Sequence, residues 1–169
     1  RFIWDGLVIG ENINPYEYTP SELMKNGEVL GTKKLYSELY GKMSNLNSVN
    51  YSPYPPINQL LFFISTSFKK DVFFSLISMR LLIILSDILN FFIGRGILKK
   101  LKFKEEKILW YFLNPLVIIE LTGNLHFEGF MLTFFGFGIL LFIENKKLFA
   151  LFPLAFSVGT KLITIIIIP

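Results

Sequence analysis

The apolar positions divide this 169-residue chain into a polar first third and a long apolar remainder. Residues 1 to 55 are polar and rich in turn formers, whereas residues 56 to 169 form successive apolar blocks separated by charged connections. Four of these blocks are predicted transmembrane helices, over about 71–98, 108–122, 127–143 and 148–169. The pattern predicts an all-α polytopic membrane protein in two parts, residues 1–70 and residues 71–169.

The first part is predicted to be a folded loop of short helices. Thr19-Pro20-Ser21-Glu22 has the pattern of a capping box with proline at the first helical position, and Asn26-Gly27 is a matching helix end. A second short helix is expected from Thr32 to about Tyr40. Ile57 to Phe68 is apolar but only about 18 Å long as a helix, against a hydrocarbon core of about 30 Å. It is therefore predicted to lie at the membrane surface, whereas Arg1 to Gly6 is expected to be loop-like.

Composition and charge add an orientation. Hydrophobic residues make up 52% of the chain, and the absence of cysteine excludes disulfides and cysteine-ligated metals. Residues 1 to 55 contain six acids and five bases, and the remainder contains seven acids and twelve bases. The net charge of +4 thus arises between the apolar blocks, which is better explained by membrane topology than by nucleic acid binding. Lysines between Lys99 and Lys107, with Lys146-Lys147, place these connections in the cytoplasm and residues 1–70 outside.

Five ionisable residues of the apolar part are expected to share one layer. Counted at 1.5 Å per residue from the cytoplasmic helix ends, Arg80, Glu120, Glu128 and Lys161 lie about 18 to 27 Å up, with His126 just above Glu128. Such charges indicate function by default, although many only pair with one another. The layer is predicted to line a polar cavity beneath the N-terminal loop. Binding of a lipid phosphate and internal ion pairing, for example Lys161 with Glu128, both remain open.

Other polar residues have a functional and a structural interpretation. Asp5, in Ile3-Trp4-Asp5-Gly6, can serve as a general base at the membrane surface or can stabilise an Asx turn. Asn14-Pro15-Tyr16 offers groups suited to a sugar or a headgroup, or an interfacial anchor. Asp87 is expected to form a hydrogen bond to a neighbouring helix. Nucleotide-binding glycine patterns, zinc-ligand spacings and serine nucleophile elbows are absent, and Gly136 and Gly138 are expected to be helix-packing positions.

A set of motifs in a fixed order resembles a known enzyme family. The sequence contains Trp4-Asp5-Gly6, Asn14-Pro15-Tyr16, Tyr54-Pro55-Pro56, Leu113-Asn114-Pro115-Leu116, Gly123-Asn124-Leu125-His126-Phe127-Glu128-Gly129 and Thr160-Lys161-Leu162. In this order they resemble the bacterial polyprenol-phosphate-mannose-dependent mannosyltransferases of the GT-C superfamily (glycosyltransferase family 87). The chain begins without methionine and stops inside an apolar run. It is therefore expected to be a fragment truncated at both ends, with the first extracytoplasmic loop and transmembrane helices two to five.

The resemblance implies a hexosyltransferase of the bacterial inner membrane. A hexose, mannose by resemblance, would pass from a polyprenyl-phosphate-linked donor to a lipid or glycan acceptor on the extracytoplasmic side. Asp5 maps onto the catalytic carboxylate and would act as general base in an inverting displacement, while cationic groups stabilise the departing phosphate. The expected substrate-binding residues are His126, Glu128, Lys161, Arg80, Asn124 and Tyr16. The first loop has a single aspartate, Asp5, and no adjacent acidic pair, which implies no metal and no cofactor besides the donor.

Two other functions are kept as alternatives. A polytopic transporter or flippase for a lipid or an anionic solute is motivated by Lys161, Glu120 and Glu128, and it is disfavoured by a structured loop of 55 residues, which transporters seldom need. A non-catalytic assembly subunit is the third interpretation. It predicts that Asp5, His126 and Lys161 do not converge. Membrane lipids are expected partners in all three cases, and nucleic acid is not.

Overall fold

The computed structural model describes residues 1–26 and 33–167. Within these ranges the chain is helical and has no strand. Its contacts define two compact units: Arg1–Tyr54 with Gln59–Met79, and Pro55–Asn58 with Arg80–Pro169. Each unit is described below by itself.

Short helices build the first unit, as the turn signals predict. They are α1 (Phe2–Gly10), α2 (Pro20–Lys25), α3 (Lys33–Gly41), α4 (Asn45–Val49), most of α5 (Pro56–Ser67) and the beginning of α6 (Val72–Lys100). The capping box of α2 is confirmed: the Thr19 hydroxyl accepts from the Glu22 amide at 3.2 Å, and the Glu22 carboxylate accepts from the Thr19 amide at 2.8 Å. The hydrogen bonds that the Glu22 carboxylate accepts from the Thr19 amide and hydroxyl lower the pKa of Glu22. The helix expected from Thr32 is present as α3, and Thr32 itself lies outside the described residues.

The expectation of a loop at Arg1 to Gly6 is wrong, because these residues lead into helix α1. Trp4, Leu7 and Val8 of this helix are buried. Gly6 is a helix-packing position: a Cβ there would overlap the backbone carbonyl of Phe62 in α5 and lie 2.8 Å from the Thr66 hydroxyl. Burial of apolar side chains and this close approach outweigh the local turn preference of Asp-Gly.

Aromatic side chains fill the core around α1. Trp4 meets the buried Tyr36 of α3 edge to face, with ring centroids 5.1 Å apart. Phe2 stacks on Phe62 at 4.8 Å, and Tyr54 lies edge-on against both rings. These contacts hold α1, α3 and α5 together.

The second unit consists of the rest of α6 and the helices that follow it. These are a 3₁₀ turn (Glu105–Ile108), α7 (Leu109–Phe112), α8 (Pro115–Val117), a π-helix (Ile118–Gly123), α9 (Glu128–Ile143), α10 (Lys147–Thr160) and a second 3₁₀ helix (Leu162–Ile167). As predicted, Gly136 and Gly138 are packing positions: a Cβ would lie 3.1 Å from Ile93 of α6 at the first and 2.6 Å from Leu154 of α10 at the second.

Two of the four predicted transmembrane helices are broken in the structure. The segment over about 108–122 is divided at Asn114-Pro115, where Asn114 is extended (ψ 120°) because the following proline disfavours helical backbone. The segment over about 148–169 is interrupted at Lys161, which is extended with φ −156° and ψ 121°. A run of β-branched residues follows Lys161, and such residues have lower helix propensity. The predictions of single continuous helices over these two segments are therefore wrong.

Helix α6 is the one helix of the described ranges that is by itself long and apolar enough to cross a membrane. Its 29 residues correspond to about 43 Å. Only 22% of its most apolar stretch is buried, unlike the core helix of a soluble domain. Residues Pro115–Gly123 and Glu128–Ile143 qualify as a second span only when taken together, and they are bent by 114°. The short helix predicted over 57–68 is present as α5, and its place at a membrane surface stays a prediction.

We expect Gly6→Ala to destabilise the first unit, because the added methyl group meets backbone atoms that cannot rotate away. The predicted loss is about 1 to 3 kcal/mol in the free energy of unfolding, measured from thermal or denaturant unfolding of the purified full-length protein. Gly41→Ala is the matched control, since a Cβ at Gly41 has no neighbour within 4 Å. Equal stability of the Gly6→Ala and Gly41→Ala proteins would contradict the packing of α1 on α5.

Candidate active site

Asp5 is a fully buried carboxylate surrounded by three side-chain donors. Arg1 Nε donates to Oδ1 at 2.8 Å. Ser52 Oγ and Gln59 Nε2 donate to Oδ2 at 2.6 and 3.1 Å. The side chain therefore forms no Asx turn, and that structural alternative is wrong. A buried charge is tolerated when it is paired and hydrogen-bonded, and this cluster supplies both.

Separate segments position the three donors. The Arg1 guanidinium is anchored by the carbonyls of Asn47 and Asn50, at 2.6 and 3.0 Å. Ser52 lies in the irregular segment between α4 and α5. Gln59, on α5, also donates to the Ser52 hydroxyl at 2.6 Å, so both donors to Oδ2 contact each other. The cluster thus joins α1, α5 and the segment that connects α4 to α5.

Tyr16 lies in the same unit and is half-exposed. Its hydroxyl donates to the Tyr54 carbonyl at 2.6 Å, and its amide donates to the Asn14 side chain at 3.0 Å. Burial raises the pKa of Tyr16, and the negative charge of Asp5 raises it further. Tyr16 is therefore within electrostatic range of Asp5, and it remains protonated as a hydrogen-bond donor at neutral pH.

Lys161 and Glu128 form an ion pair in the second unit. Lys161 Nζ lies 2.5 Å from Glu128 Oε1, where the extended residue after α10 meets the first residue of α9. Of the two interpretations left open by the sequence, the structure shows internal ion pairing for these residues. The pair is accessible, because its side chains are 48% and 34% exposed.

A second polar group surrounds Glu120. Asn124 Nδ2 donates to Glu120 Oε2 at 3.3 Å, and His126 Nδ1 lies 3.6 Å from the same oxygen. The π-helix Ile118–Gly123 presents Glu120, and a tight turn with Leu125 at φ 56° brings His126 back toward it. π-helical turns are uncommon and are often retained at functional sites.

Two candidate charges on α6 differ in their surroundings. Arg80 is exposed and has no ion-pair partner in the described part of the chain. Asp87 Oδ2 accepts a hydrogen bond from Thr122 of the π-helix at 3.2 Å, so the predicted bond to a neighbouring helix is confirmed. Arg80 is thus available for a ligand, whereas Asp87 joins α6 to the π-helix.

The described residues contain no group of three acidic or histidine side chains placed to hold a metal ion. Independence from metal stays a prediction. The chemistry that the site residues can supply consists of a carboxylate among donors in the first unit and accessible cations and amides in the second.

Comparison with known proteins decides between the alternative functions. A family model described as alpha-(1->6)-mannopyranosyltransferase, N-terminal domain (MptA_B family), matches residues 2–169. The chain belongs to this family. The resemblance to mannosyltransferases is thereby confirmed, and a sugar-transfer enzyme is favoured over a transporter or an assembly subunit. No significant match to a curated protein or to a solved structure was found.

The sequence did not single out three residues of this mannosyltransferase domain that contact Asp5. Arg1, Ser52 and Gln59 lie outside the motifs that carry the resemblance, although each is within three residues of one. Gln59 carried a usable signal, because it is one of two adjacent amides at the start of a largely apolar block. A polar residue on a buried helix face normally has a partner, and here that partner is the catalytic candidate.

Charge reversal tests the ion pair of the second unit. Glu128→Lys or Lys161→Glu alone places like charges in contact, and we expect each to lower the free energy of unfolding by about 1 kcal/mol or more. The double reversal should recover most of that loss, as measured by thermal unfolding. The same three variants of the exposed pair Lys42–Glu38 serve as control and should change stability by about 0.5 kcal/mol or less. A double reversal no more stable than the weaker single variant would contradict the pairing.

Proposed function

We propose that this domain belongs to an integral, multi-pass enzyme that transfers mannose from a polyprenyl-phosphate-linked donor to a lipid or glycan acceptor. The transfer takes place on the extracytoplasmic side of the bacterial inner membrane and inverts the anomeric centre. Asp5 is the general base. The observation that carries the proposal is the hydroxyl that already lies 2.6 Å from Asp5 Oδ2, that of Ser52.

In the proposed reaction an acceptor hydroxyl takes the place of the Ser52 hydroxyl. A general base must lie within about 2.6 to 3.2 Å of the group that it deprotonates. Ser52 lies on an irregular segment, so its hydroxyl can rotate away without unwinding a helix. The acceptor hydroxyl then gives its proton to Oδ2, and its oxygen forms the new bond to the anomeric carbon. The bond from that carbon to the phosphate oxygen breaks, and the phosphate takes the electron pair.

Arg1 and Gln59 are positioning residues in this reaction. The guanidinium holds Oδ1, which leaves Oδ2 as the oxygen that faces a hydroxyl. The Gln59 amide contacts both Oδ2 and the Ser52 hydroxyl, so it remains as a donor when the acceptor replaces Ser52. A carboxylate held in a fixed orientation is a more effective general base. A second carboxylate is not required, because a phosphate leaves without a strong general acid.

Cationic groups of the second unit are proposed to bind the donor phosphate. Lys161 is accessible and its partner carboxylate is itself partly exposed, so the phosphodiester anion of the donor can compete for it. Arg80, His126 and Asn124 supply further donors in the second unit, and Tyr16 is a proposed substrate contact of the first unit. Glu128 would keep Lys161 oriented when no donor is bound.

Asp5→Asn in the full-length protein should reduce mannose transfer at least 100-fold, because the amide cannot accept the acceptor proton. Transfer is measured with radiolabelled mannose on polyprenyl phosphate, and the folded state is checked by thermal unfolding. Asp71→Asn is the control. Asp71 caps the start of α6 by accepting from the Phe74 amide at 3.0 Å, a role that asparagine fills equally well.

Three outcomes would contradict the proposal. Turnover of the Asp5→Asn protein within tenfold of wild type would exclude Asp5 as base. Equal losses in folded Asp5→Asn and Asp71→Asn proteins would exclude a specific role for the Asp5 carboxylate. Efficient use of a nucleotide-linked mannose by the wild-type protein, in place of the lipid-linked one, would exclude the proposed donor class.

A further inference from the structure

The positive charge of the chain is concentrated at one end of the second unit. Residues 95 to 107 and 144 to 147 contain eight bases and three acids, a net charge of +5, whereas the whole chain has +4. All other residues together therefore carry about one negative charge. This end, the C-terminus of α6 with the two turns that adjoin it, is called the basic end below.

Ion pairs hold the two lysine-rich turns of the basic end together. Glu144, which follows α9, lies 3.2 Å from Lys100 of α6 and 2.9 Å from Lys146. Each turn contains one residue with left-handed backbone, Lys102 at φ 61° and Asn145 at φ 61°. The lysines of the two turns thus belong to one surface.

Several lysines of this surface have no acidic partner. Lys99, Lys102 and Lys104 are exposed and form no ion pair among the described residues. Lys107 lies instead over the ring of Phe103, 5.1 Å from its centroid. Exposed cations without partners attract anions, most strongly at low ionic strength.

An open cavity of about 540 Å³ lies beside one of these lysines, Lys104. It combines charged and apolar side chains, among them Arg95, Lys104, Glu105, Glu106, Phe91 and Phe103. Arg95 is engaged by the Glu105 carboxylate at 2.7 Å, which leaves Lys104 as the cation free to meet a ligand. Trp110, one turn further on, is 84% exposed. Cations beside apolar walls and an exposed indole match a ligand that has both a phosphate and a hydrocarbon chain.

We propose that the basic end binds an anionic phospholipid, with its phosphate at Lys99, Lys102 and Lys104 and an acyl chain along Phe91 and Phe103. A phospholipid of the bilayer is favoured over a soluble polyanion because the lysines follow directly on the helix that is long and apolar enough to cross a membrane. The site lies on residues other than those of the proposed transfer reaction. Loss of lipid binding at the basic end would therefore leave the proposed role of Asp5 unchanged.

The test measures thermal unfolding of the purified full-length protein in detergent, with added dioleoylphosphatidylglycerol or dioleoylphosphatidylcholine. For wild type we expect the unfolding midpoint to rise several degrees more with the anionic lipid, and this difference to shrink in 0.5 M salt, an ionic strength chosen for strong screening (Debye length about 4 Å). The variant Lys99→Gln, Lys102→Gln, Lys104→Gln should lose more than half of the difference. The control Lys25→Gln, Lys34→Gln, Lys42→Gln removes the same charge from the first unit and should keep it.

Further measurements distinguish the lipid from its headgroup and exclude misfolding as the cause of a lost lipid effect. The arginine variant of the same three positions keeps the charge and should keep the lipid effect. Glycerol phosphate, the soluble part of the lipid, should give no comparable rise, and a rise equal to that of the lipid would assign the surface to a soluble anion. No preference for the anionic lipid in wild type, or equal losses in the two glutamine variants, would overturn the proposal. Transfer activity of the basic-end variants in detergent should stay near wild type, so failure here is distinguishable from failure of Asp5 as base.

Discussion

A charged carboxylate inside an apolar helix is stable only when donors surround it, and Asp5 sets this requirement for the whole first unit. Arg1, Ser52 and Gln59 meet it from three different segments. Removal of any one donor leaves a buried charge partly unsatisfied, which costs more than the hydrogen bond itself contributes. The hydrogen bonds to Asp5 therefore fix α5 and the segment before it against α1. The same arrangement directs Asp5 Oδ2 toward the Ser52 hydroxyl.

Irregular backbone and polar candidate residues coincide in the second unit. Asn114-Pro115 divides one apolar segment, a π-helix presents Glu120, and the chain is extended at Lys161. In a membrane such backbone is tolerated only where protein or water satisfies its polar groups. Here the side chains of the candidate residues gather at the same breaks. A continuous helix would have kept Lys161 on the helical repeat, whereas the break allows it to reach Glu128.

Local signals were sufficient for part of this structure. The capping box at Thr19 predicted α2, the apolar blocks predicted α6 and α9 within about two residues, and the isolated charge of Asp87 predicted a bond to another helix. The sequence did not predict helix α1. Glycine is needed at position 6 because the helix packs closely on Phe62 there, and only the tertiary structure shows this contact. The break at Asn114-Pro115 was readable from the proline, but the hydropathy of the block outweighed it. For Lys161 the sequence was compatible with both lipid-phosphate binding and internal ion pairing, and no local signal distinguished them.

The donors of Asp5 are distant along the chain: Ser52 follows it by 47 residues and Gln59 by 54. During synthesis α1 leaves the ribosome well before either of them. Until then only Arg1 and water can donate hydrogen bonds to the carboxylate, so α1 cannot adopt its native, buried packing. The packing of the first unit therefore cannot be completed before α5 has been synthesised, and contacts of such high sequence separation slow folding. Its assembly is timed by elongation of the nascent polypeptide.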